Sequence, residues 1–372
     1  MSVSIRLLAD DLTGALDTAA ELVPLAGPIP VVWESPPAEI AGSCAFDSGT
    51  REASPERAAA VVAGLAPALA GGALAYKKLD SLLRGATMAE IAACLRHGTW
   101  ERCIVAPAFP HQGRVTRGGI QYARRPDGTW AAVADIVAAL AEAGVAASLA
   151  TPDGPLPAGA SVFDAETDAD LRVVAATGHR AGGRLLWCGS AGLALALAHG
   201  AARPARIGLR GPVLGLFGSD QDATARQLGV CGSRWLRLAG PDRAADLVRD
   251  RLVDDGVALV SLDLPAGIGR AEAAARIART FADLVGSLDR PGTLLVAGGE
   301  TLRATCETLG ATSLEVRGQF EPGLPHSVMR GGRWDGLTVV SKSGAFGGPN
   351  LWRDLLADLP VSAGRTAEKV HP

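Results

Sequence analysis

No Cys-X-X-Cys pair, no HExxH helix and no stripe of Lys or Arg occurs in this chain, and each absence removes a class of function. The six cysteines, Cys44, Cys94, Cys103, Cys188, Cys231 and Cys306, are spaced for neither a zinc site nor a small disulfide framework. They are expected to be reduced, mostly buried thiols of a cytoplasmic protein. The six histidines never pair on a helix face. A net charge of −3 and a pI near 6.1 exclude recruitment to nucleic acid or to an anionic membrane by a global field. Any anionic ligand must be met by local positive groups. The first residues carry no basic segment followed by an apolar core, so no signal peptide is expected. The Ala-rich stretches are too short, or too broken by charge and Gly, to span a bilayer. No repeat or low-complexity tract is evident. A Walker A pattern is missing, and no G-x-G-x-x-G follows the first strand of either half, which disfavours P-loop and dinucleotide readings.

What is present is a globular composition, 48% hydrophobic and 20% charged, over 372 residues. At roughly 100–200 residues per domain, that length makes two domains. Strand and helix signals alternate almost throughout. In the first half, strands are expected at 5–9, 31–34, 44–46, 73–76, 103–106 and 185–188. Helices are expected at 13–23, 55–69, 88–95, 131–143 and 191–198. Around 201–212 the pattern breaks into a polar, Pro- and Gly-containing stretch that reads as a linker. Strands then return at 213–217, 235–238, 257–262 and 293–297. Helices are expected from 221, at 243–253, at 269–288 and at 302–309, and an antiparallel β addition at 313–340. The fold class is α/β, two domains over 1–203 and 210–372, each with a mostly parallel sheet flanked by helices. In such sheets ligands bind beyond the carboxyl ends of the strands, so the residues directly after each strand are the ones to inspect.

Three such loops in the first half carry polar chemistry. Asp10 and Asp11 follow the first strand and open a helix: they can coordinate Mg²⁺ or take a hydroxyl proton, or simply cap the helix. Lys77-Lys78-Leu79-Asp80-Ser81-Leu82-Leu83-Arg84-Gly85 clusters Lys, Asp, Ser and Arg after a strand, where Arg84 can clamp a carboxylate and Lys78 add a point charge. The alternative is a solvated charged loop. A long loop at 106–119 holds His111 and Arg114. The second half has three glycine-rich turns: Phe217-Gly218-Ser219-Asp220, Ala297-Gly298-Gly299-Glu300-Thr301 and Ser341-Lys342-Ser343-Gly344 running on to Gly348. Glycine lets backbone approach a ligand, and helix N-termini present free N–H groups to phosphate. Three in one domain point to a nucleotide.

These segments, in this order, resemble the four-carbon acid sugar kinase family. The resemblance rests on Ala9-Asp10-Asp11-Leu12-Thr13-Gly14-Ala15, on 77–85, on Pro107-Ala108-Phe109-Pro110 with Gly113-Arg114, on Gly189-Ser190-Ala191-Gly192-Leu193-Ala194, on 298–301 and on 342–347. It implies a sugar-acid domain followed by an ATP domain, with phosphoryl transfer from ATP and Mg²⁺ to the terminal hydroxyl of threonate, erythronate or 3-oxo-tetronate in an interdomain cleft. It places substrate near Lys78, Asp80, Ser81, Arg84, His111 and Arg114, with Asp10, Asp11 and Arg84 in catalysis. Nucleotide falls at Ser219, Gly298, Gly299, Glu300, Thr301, Ser343 and Gly344. No dedicated protein metal site is expected, since Mg²⁺ comes with ATP. A homodimer is compatible with the pattern. The chain departs from the family where Phe217 replaces the first serine of the Ser-Gly-Ser turn and where Tyr122-Ala123-Arg124-Arg125 replaces Tyr-Val-Asn-Gly. The competing readings are a kinase of another short hydroxy or keto acid, a non-catalytic binding or effector protein on the same fold, and a nicotinamide oxidoreductase.

Overall fold

A computed structural model describes residues 3–33, 40–152, 154–203, 207–218, 221–240, 243–265, 267–344, 346–357 and 359. The chain divides into two compact units: Met1–Pro204 with Glu315–Gly318, and Ala205–Leu314 with Gln319–Pro372.

In chain order the first unit holds β1 (Ile5–Ala9), α1 (Leu12–Ala26), β2 (Ile29–Val32), β3 (Cys44–Asp47), α2 (Pro55–Leu69), β4 (Leu74–Lys78), α3 (Thr87–His97) and β5 (Arg102–Ala106). There follow β6 (Arg114–Arg117), β7 (Ile120–Arg124), β8 (Trp130–Asp135), α4 (Ile136–Glu142), β9 (Ala147–Ala150), β10 (Gly159–Phe163), α5 (Asp168–Ala181), β11 (Leu185–Gly189) and α6 (Ala191–Leu197). The main sheet runs β2-β3-β1-β4-β11-β5-β10-β9, with parallel pairing throughout. Strands such as β1 and β4 are buried along their whole length, as parallel strands covered on both faces must be. Helices close the faces around Phe46, Val62, Leu69, Ile91, Val105 and Ile136. Local signals agree with this packing. Ser54 caps α2 ahead of Pro55 at the first helical position, and Thr167 with Asp170 forms a capping box on α5. The strand order reverses at β1, so β3 and β4 flank it from opposite sides.

Two expectations fail here. Residues 131–143 are not one helix: β8 pairs antiparallel with β7, and only then does α4 begin. Alanine is the strongest helix former, but propensity is a weak determinant, and the ladder with β7 overrides it. Asp135 sets the boundary by accepting from Ala138 N at 3.0 Å as the α4 N-cap. Second, β4 continues through Lys77 and Lys78, which are therefore strand residues rather than loop residues.

The second unit holds β12 (Val213–Phe217), α7 (Asp222–Gly229), β13 (Trp235–Leu238), α8 (Ala244–Asp255), β14 (Val257–Leu262) and α9 (Arg270–Ser287). Then come β15 (Thr293–Ala297), α10 (Gly299–Thr308), β16 (Ser313–Gln319, whose residues Glu315–Gly318 count with the first unit), β17 (Pro325–Arg330), β18 (Thr338–Lys342) and α11 (Leu351–Leu355). Its sheet order includes β13-β14-β12-β15-β18-β17, parallel except that β17 runs antiparallel to β18. Phe217 and Trp352 meet edge to face, with centroids 5.3 Å apart, beside Leu259, Leu295 and Val340. Helix α10 starts at Gly299 rather than near 302, so Glu300 and Thr301 lie in its first turn. Among the described residues no helix is long and apolar enough to cross a membrane. The Cys103 and Cys188 sulfurs sit 3.6 Å apart in the first core as free thiols.

Candidate active site

Strand register assembles the polar residues of the first unit. Asp47 pairs with Ala9, Lys78 with Gly189, and Gly189 with Ala106, so β3, β1, β4, β11 and β5 end in one row. The loops after β3, β1 and β4 bring Arg51, Asp10-Asp11 and Asp80 together. Arg51 is the hub. Its Nε and Nη2 donate to the two oxygens of Asp10, the latter at 2.8 Å. The same Nη2 lies 3.2 Å from Asp11 Oδ1, and Nη1 lies 3.3 Å from Asp80 Oδ2. Burial pushes the Asp10 carboxyl up, but the Arg51 hydrogen bonds and the charges of Lys77, Arg51 and Lys78 outweigh it and hold the carboxyl below its ordinary value. Asp80 follows the same logic. Burial opposes its charge, yet Arg84, donating from Nε at 3.0 Å and Nη2 at 2.6 Å, and then Arg51 and Lys78, keep it well below the carboxylate range.

Asp11 does two things at once. Its Oδ1 accepts from Gly14 N at 2.9 Å as the N-cap of α1, and its Oδ2 accepts from the Thr13 hydroxyl at 3.0 Å. Its side chain is still 29% exposed. A Cβ on Gly14 would collide with Asp11 Oδ1 and come within 3.2 Å of Lys78 Nζ, so a side chain there must displace the carboxylate. One turn along α1, Asp17 has an oxygen buried without a hydrogen-bond partner among the described residues. Burial pushes its carboxyl up to about 8, against the pull of Lys78.

Alternation along β4 sends its two lysines to opposite sides. Lys77 is fully buried and pairs with Glu90 of α3 at 2.7 Å. Burial works against its charge, but Glu90 and Asp10 hold the ammonium above its ordinary value. Glu90 also accepts from the Thr50 hydroxyl, which lies 2.7 Å from that of Ser48. The backbone N–H groups of Thr50 and Arg51 donate to Asp10 O at 3.0 and 3.1 Å. This buried chain fixes the loop that carries Arg51. Lys78 differs: only 8% of the residue is exposed, yet its ammonium has no hydrogen-bond or ion-pair partner among the described residues.

Other expected residues stand apart from this cluster. The Arg84 side chain is 63% exposed and its fork is occupied by Asp80. Ser81 contributes its carbonyl, which accepts from Gln121 Nε2 at 2.8 Å and so ties the β4 loop to β7. Arg114 donates to the carbonyl and side chain of Gln112, near enough to Asp80 and Arg84 to feel both charges. His111 is exposed on a short 3-10 turn, Pro110–Gln112, and lines a groove with Arg117, Arg124, Arg125, Trp130 and Glu166. Ser190 is structural, donating to Ala108 O at 2.6 Å while capping α6. Sequence reasoning missed Arg51 and Gln121. Arg51 obeys the rule used elsewhere, since 48–51 is a polar run directly after a strand. Gln121 gave no signal, because its importance comes from a tertiary hydrogen bond.

The second unit repeats the arrangement with glycine in place of charge. Phe217 pairs with Ala297 and Ala297 with Lys342, so β12, β15 and β18 also end side by side. Gly218, the α10 N-terminus and the 343–348 turn follow those three ends. Gly298 adopts φ 111°, a left-handed conformation that glycine alone takes without strain, and its N–H donates to Lys342 O at 3.1 Å. A Cβ on Gly218 would collide with Thr301 Oγ1 and approach Ile277 to 2.9 Å. Gly299, Glu300 and Thr301 form the first turn of α10, with Glu300 exposed. Ser343 and Gly344 start the third turn, whose carbonyls face a buried lysine, Lys342. Ser219 lies outside the described residues. Among the described residues no group of His, Cys, Asp or Glu is arranged to hold a metal ion. Asp10, Asp11 and Asp80 are already engaged by arginines.

Comparison with known proteins follows the same division. Residues 5–152 match a family described as a sugar-binding N-terminal domain, and residues 214–351 one described as a nucleotide-binding C-terminal domain. A D-threonate kinase from Bordetella bronchiseptica is 31% identical, over 92% of this chain and 94% of that protein. A D-threonate kinase from Cupriavidus necator is 32% identical, over 93% and 95%. More distant curated relatives are named D-erythronate kinase and 3-oxo-tetronate kinase. A solved structure from Salmonella typhimurium, described as a putative tRNA synthase, shares the fold at 20% identity with a TM-score of 0.74, covering 94% of this chain and 98% of that one. With both domain types matched in order, and relatives above 30% identity along nearly its whole length, the chain belongs to the four-carbon acid sugar kinase family.

Proposed function

We propose that the chain is an ATP-dependent kinase that phosphorylates the terminal hydroxyl of a four-carbon sugar acid: threonate, erythronate or 3-oxo-tetronate. The observation that carries this reading is the unpartnered Lys78 ammonium beside the Asp10–Arg51–Asp11 cluster, at the strand ends of the unit that matches sugar-binding domains. A short hydroxy acid offers one carboxylate and several hydroxyls. Lys78 supplies a point charge for the carboxylate or the moving phosphoryl group, and Asp11 keeps lone pairs open to a hydroxyl.

In this reading the carboxylates divide the labour. Asp10 and Asp80 are held ionised by arginines, so they are weak bases and serve to fix Arg51 and Arg84. Asp11 orients the attacking hydroxyl. In a loose phosphoryl-transfer transition state, positioning and charge neutralisation contribute more than proton abstraction. Nucleotide phosphates lie at 298–301 and at the turn that begins with Ser343 and Gly344, where glycine admits close approach and α10 presents its N-terminus. Mg²⁺ enters with ATP as part of the substrate. The setting is the cytoplasm, where ATP is at hand.

The test is an ADP-release assay with purified protein over C3 to C6 hydroxy and keto acids. The highest kcat/KM is expected among the C4 acids, with phosphorus NMR placing the new ester on the terminal oxygen. A C3, C5 or C6 acid that turns over fastest would replace the substrate. Absence of turnover with every acid, together with no ATP binding, would favour the non-catalytic reading.

A further inference from the structure

Lys342 is the last residue of β18, and its side chain turns inward, wholly buried. Its ammonium donates to Ser343 O at 3.1 Å, Gly344 O at 2.9 Å and Phe346 O at 3.0 Å, and lies 3.5 Å from Thr224 Oγ1. Every partner is an uncharged oxygen. No carboxylate pairs with it among the described residues, and burial alone pulls the ammonium down to about 8. A buried cation without a counter-charge is costly, so its retention calls for an explanation.

The surroundings supply one. Gln227, also fully buried, places Nε2 at 2.9, 3.0 and 3.0 Å from the carbonyls of Phe346, Gly347 and Gly348. Thr224 donates to Gly344 O at 2.9 Å. Two residues of α7 and one of β18 therefore gather the carbonyls of Ser343, Gly344, Phe346, Gly347 and Gly348 to a single side. The peptides here are trans, and a trans peptide points its N–H opposite to its C=O. The N–H groups of Gly344 and Gly347 then face away from Lys342, and that of Gly348 faces away from Gln227. Phe346 N–H is spent on Ser343 O at 3.2 Å, but Gly347 and Gly348 are adjacent, and successive outward N–H groups form an anion-binding concavity.

We propose that Lys342 is a positioning residue for nucleotide phosphate: a tethered cation that draws the turn's carbonyls inward, turns its amides outward and keeps its own charge uncompensated until an anion binds across the turn. Lys342 acts through the backbone and does not itself touch the phosphate. The inference rests on the reading of this turn as part of the nucleotide site.

The test uses the full-length protein, with ATP binding by calorimetry and steady-state kinetics with a C4 acid. Lys342→Met is expected to raise the Kd and KM for ATP about tenfold or more while the acid KM stays within about twofold. Lys342→Ala is expected to regain ATP affinity in propylammonium and not in tetramethylammonium, which has no N–H to donate. Should the Met variant fail to fold, Thr224→Val carries the test. It keeps the lysine but strips a donor from Gly344 O, and an ATP KM about threefold higher is expected. A folded Lys342→Met that binds ATP like wild type overturns the inference and leaves the nucleotide site standing. So does an unchanged ATP KM in Thr224→Val. Wild-type protein that binds no ATP sinks the underlying reading of the turn instead.

Discussion

The two units solve one geometric problem with opposite materials. Both collect loops at the carboxyl ends of adjacent parallel strands next to a reversal of strand order. The first lines that edge with ionised side chains, Asp10, Arg51, Lys78 and Asp80, matched almost charge for charge. The second lines it with Gly218, Gly298, Gly344 and Gly347 and places Lys342 under the backbone. A sugar acid has varied hydroxyl geometry, and side chains of different reach can read it. A polyphosphate is a dense, repetitive anion, and main-chain N–H groups suffice provided that no Cβ intervenes. A damaged side chain should therefore be expensive in the first unit, and an added methyl in the second.

Arg51→Met tests the first half of that contrast most severely. It leaves three carboxylates without their shared partner, a loss on the order of 3–5 kcal/mol where they are buried. We expect kcat/KM to fall by about a thousandfold and urea midpoints to drop, with Arg51→Lys a poor rescue because a single ammonium cannot serve three carboxylates at once. Lys78→Met is milder, since the lysine donates no hydrogen bond and makes no close ion pair among the described residues. The acid KM should rise about ten- to a hundredfold while ATP binding stays constant. An ATP affinity that falls in step would merge the two sites. Gly298→Ala probes the other side: its φ of 111° costs a side chain about 1–3 kcal/mol. The variant should weaken ATP about tenfold and leave the acid KM unchanged.

The smallest effect concerns Asp17. Its carboxyl is pushed up from 3.8 to about 8 in the folded protein, so the native state holds a proton that the unfolded chain has already released. Stability is therefore fully present below about pH 4 on this account and is lost as pH rises towards 8. Asp17→Asn should raise the Tm at pH 8 more than at pH 5. Equal shifts at both pH values would show the carboxyl to be ordinary.

The sequence made much of this legible, for identifiable reasons. Helix α2 was readable to the residue because Ser54 and Pro55 announce it and apolar residues recur at helical spacing. The strands β13, β14 and β15 were readable as short apolar runs. The β8–α4 break was not, because four residues of Ala and Val suit either state and only pairing with β7 decides. At the site, Asp10, Asp11, Lys78 and Asp80 were visible as polar residues near strand ends. Their hub, Arg51, was legible only as one member of a polar run after β3, because its role comes from carboxylates 29 to 41 residues away. The roles of Lys342 and Gln227 depend on where backbone carbonyls point, and no residue pattern encodes that.

Lys77 and Lys78 look redundant on paper, two identical letters side by side. An amine-directed label would tell them apart at once. The first amine is sealed against Glu90, whereas the second, at the strand's carboxyl end, has no hydrogen-bond or ion-pair partner among the described residues. Mass spectrometry after brief acylation should thus find the adduct on the second lysine, and added acid substrate should protect it. One peptide would then report on occupancy of the first unit without any turnover being measured.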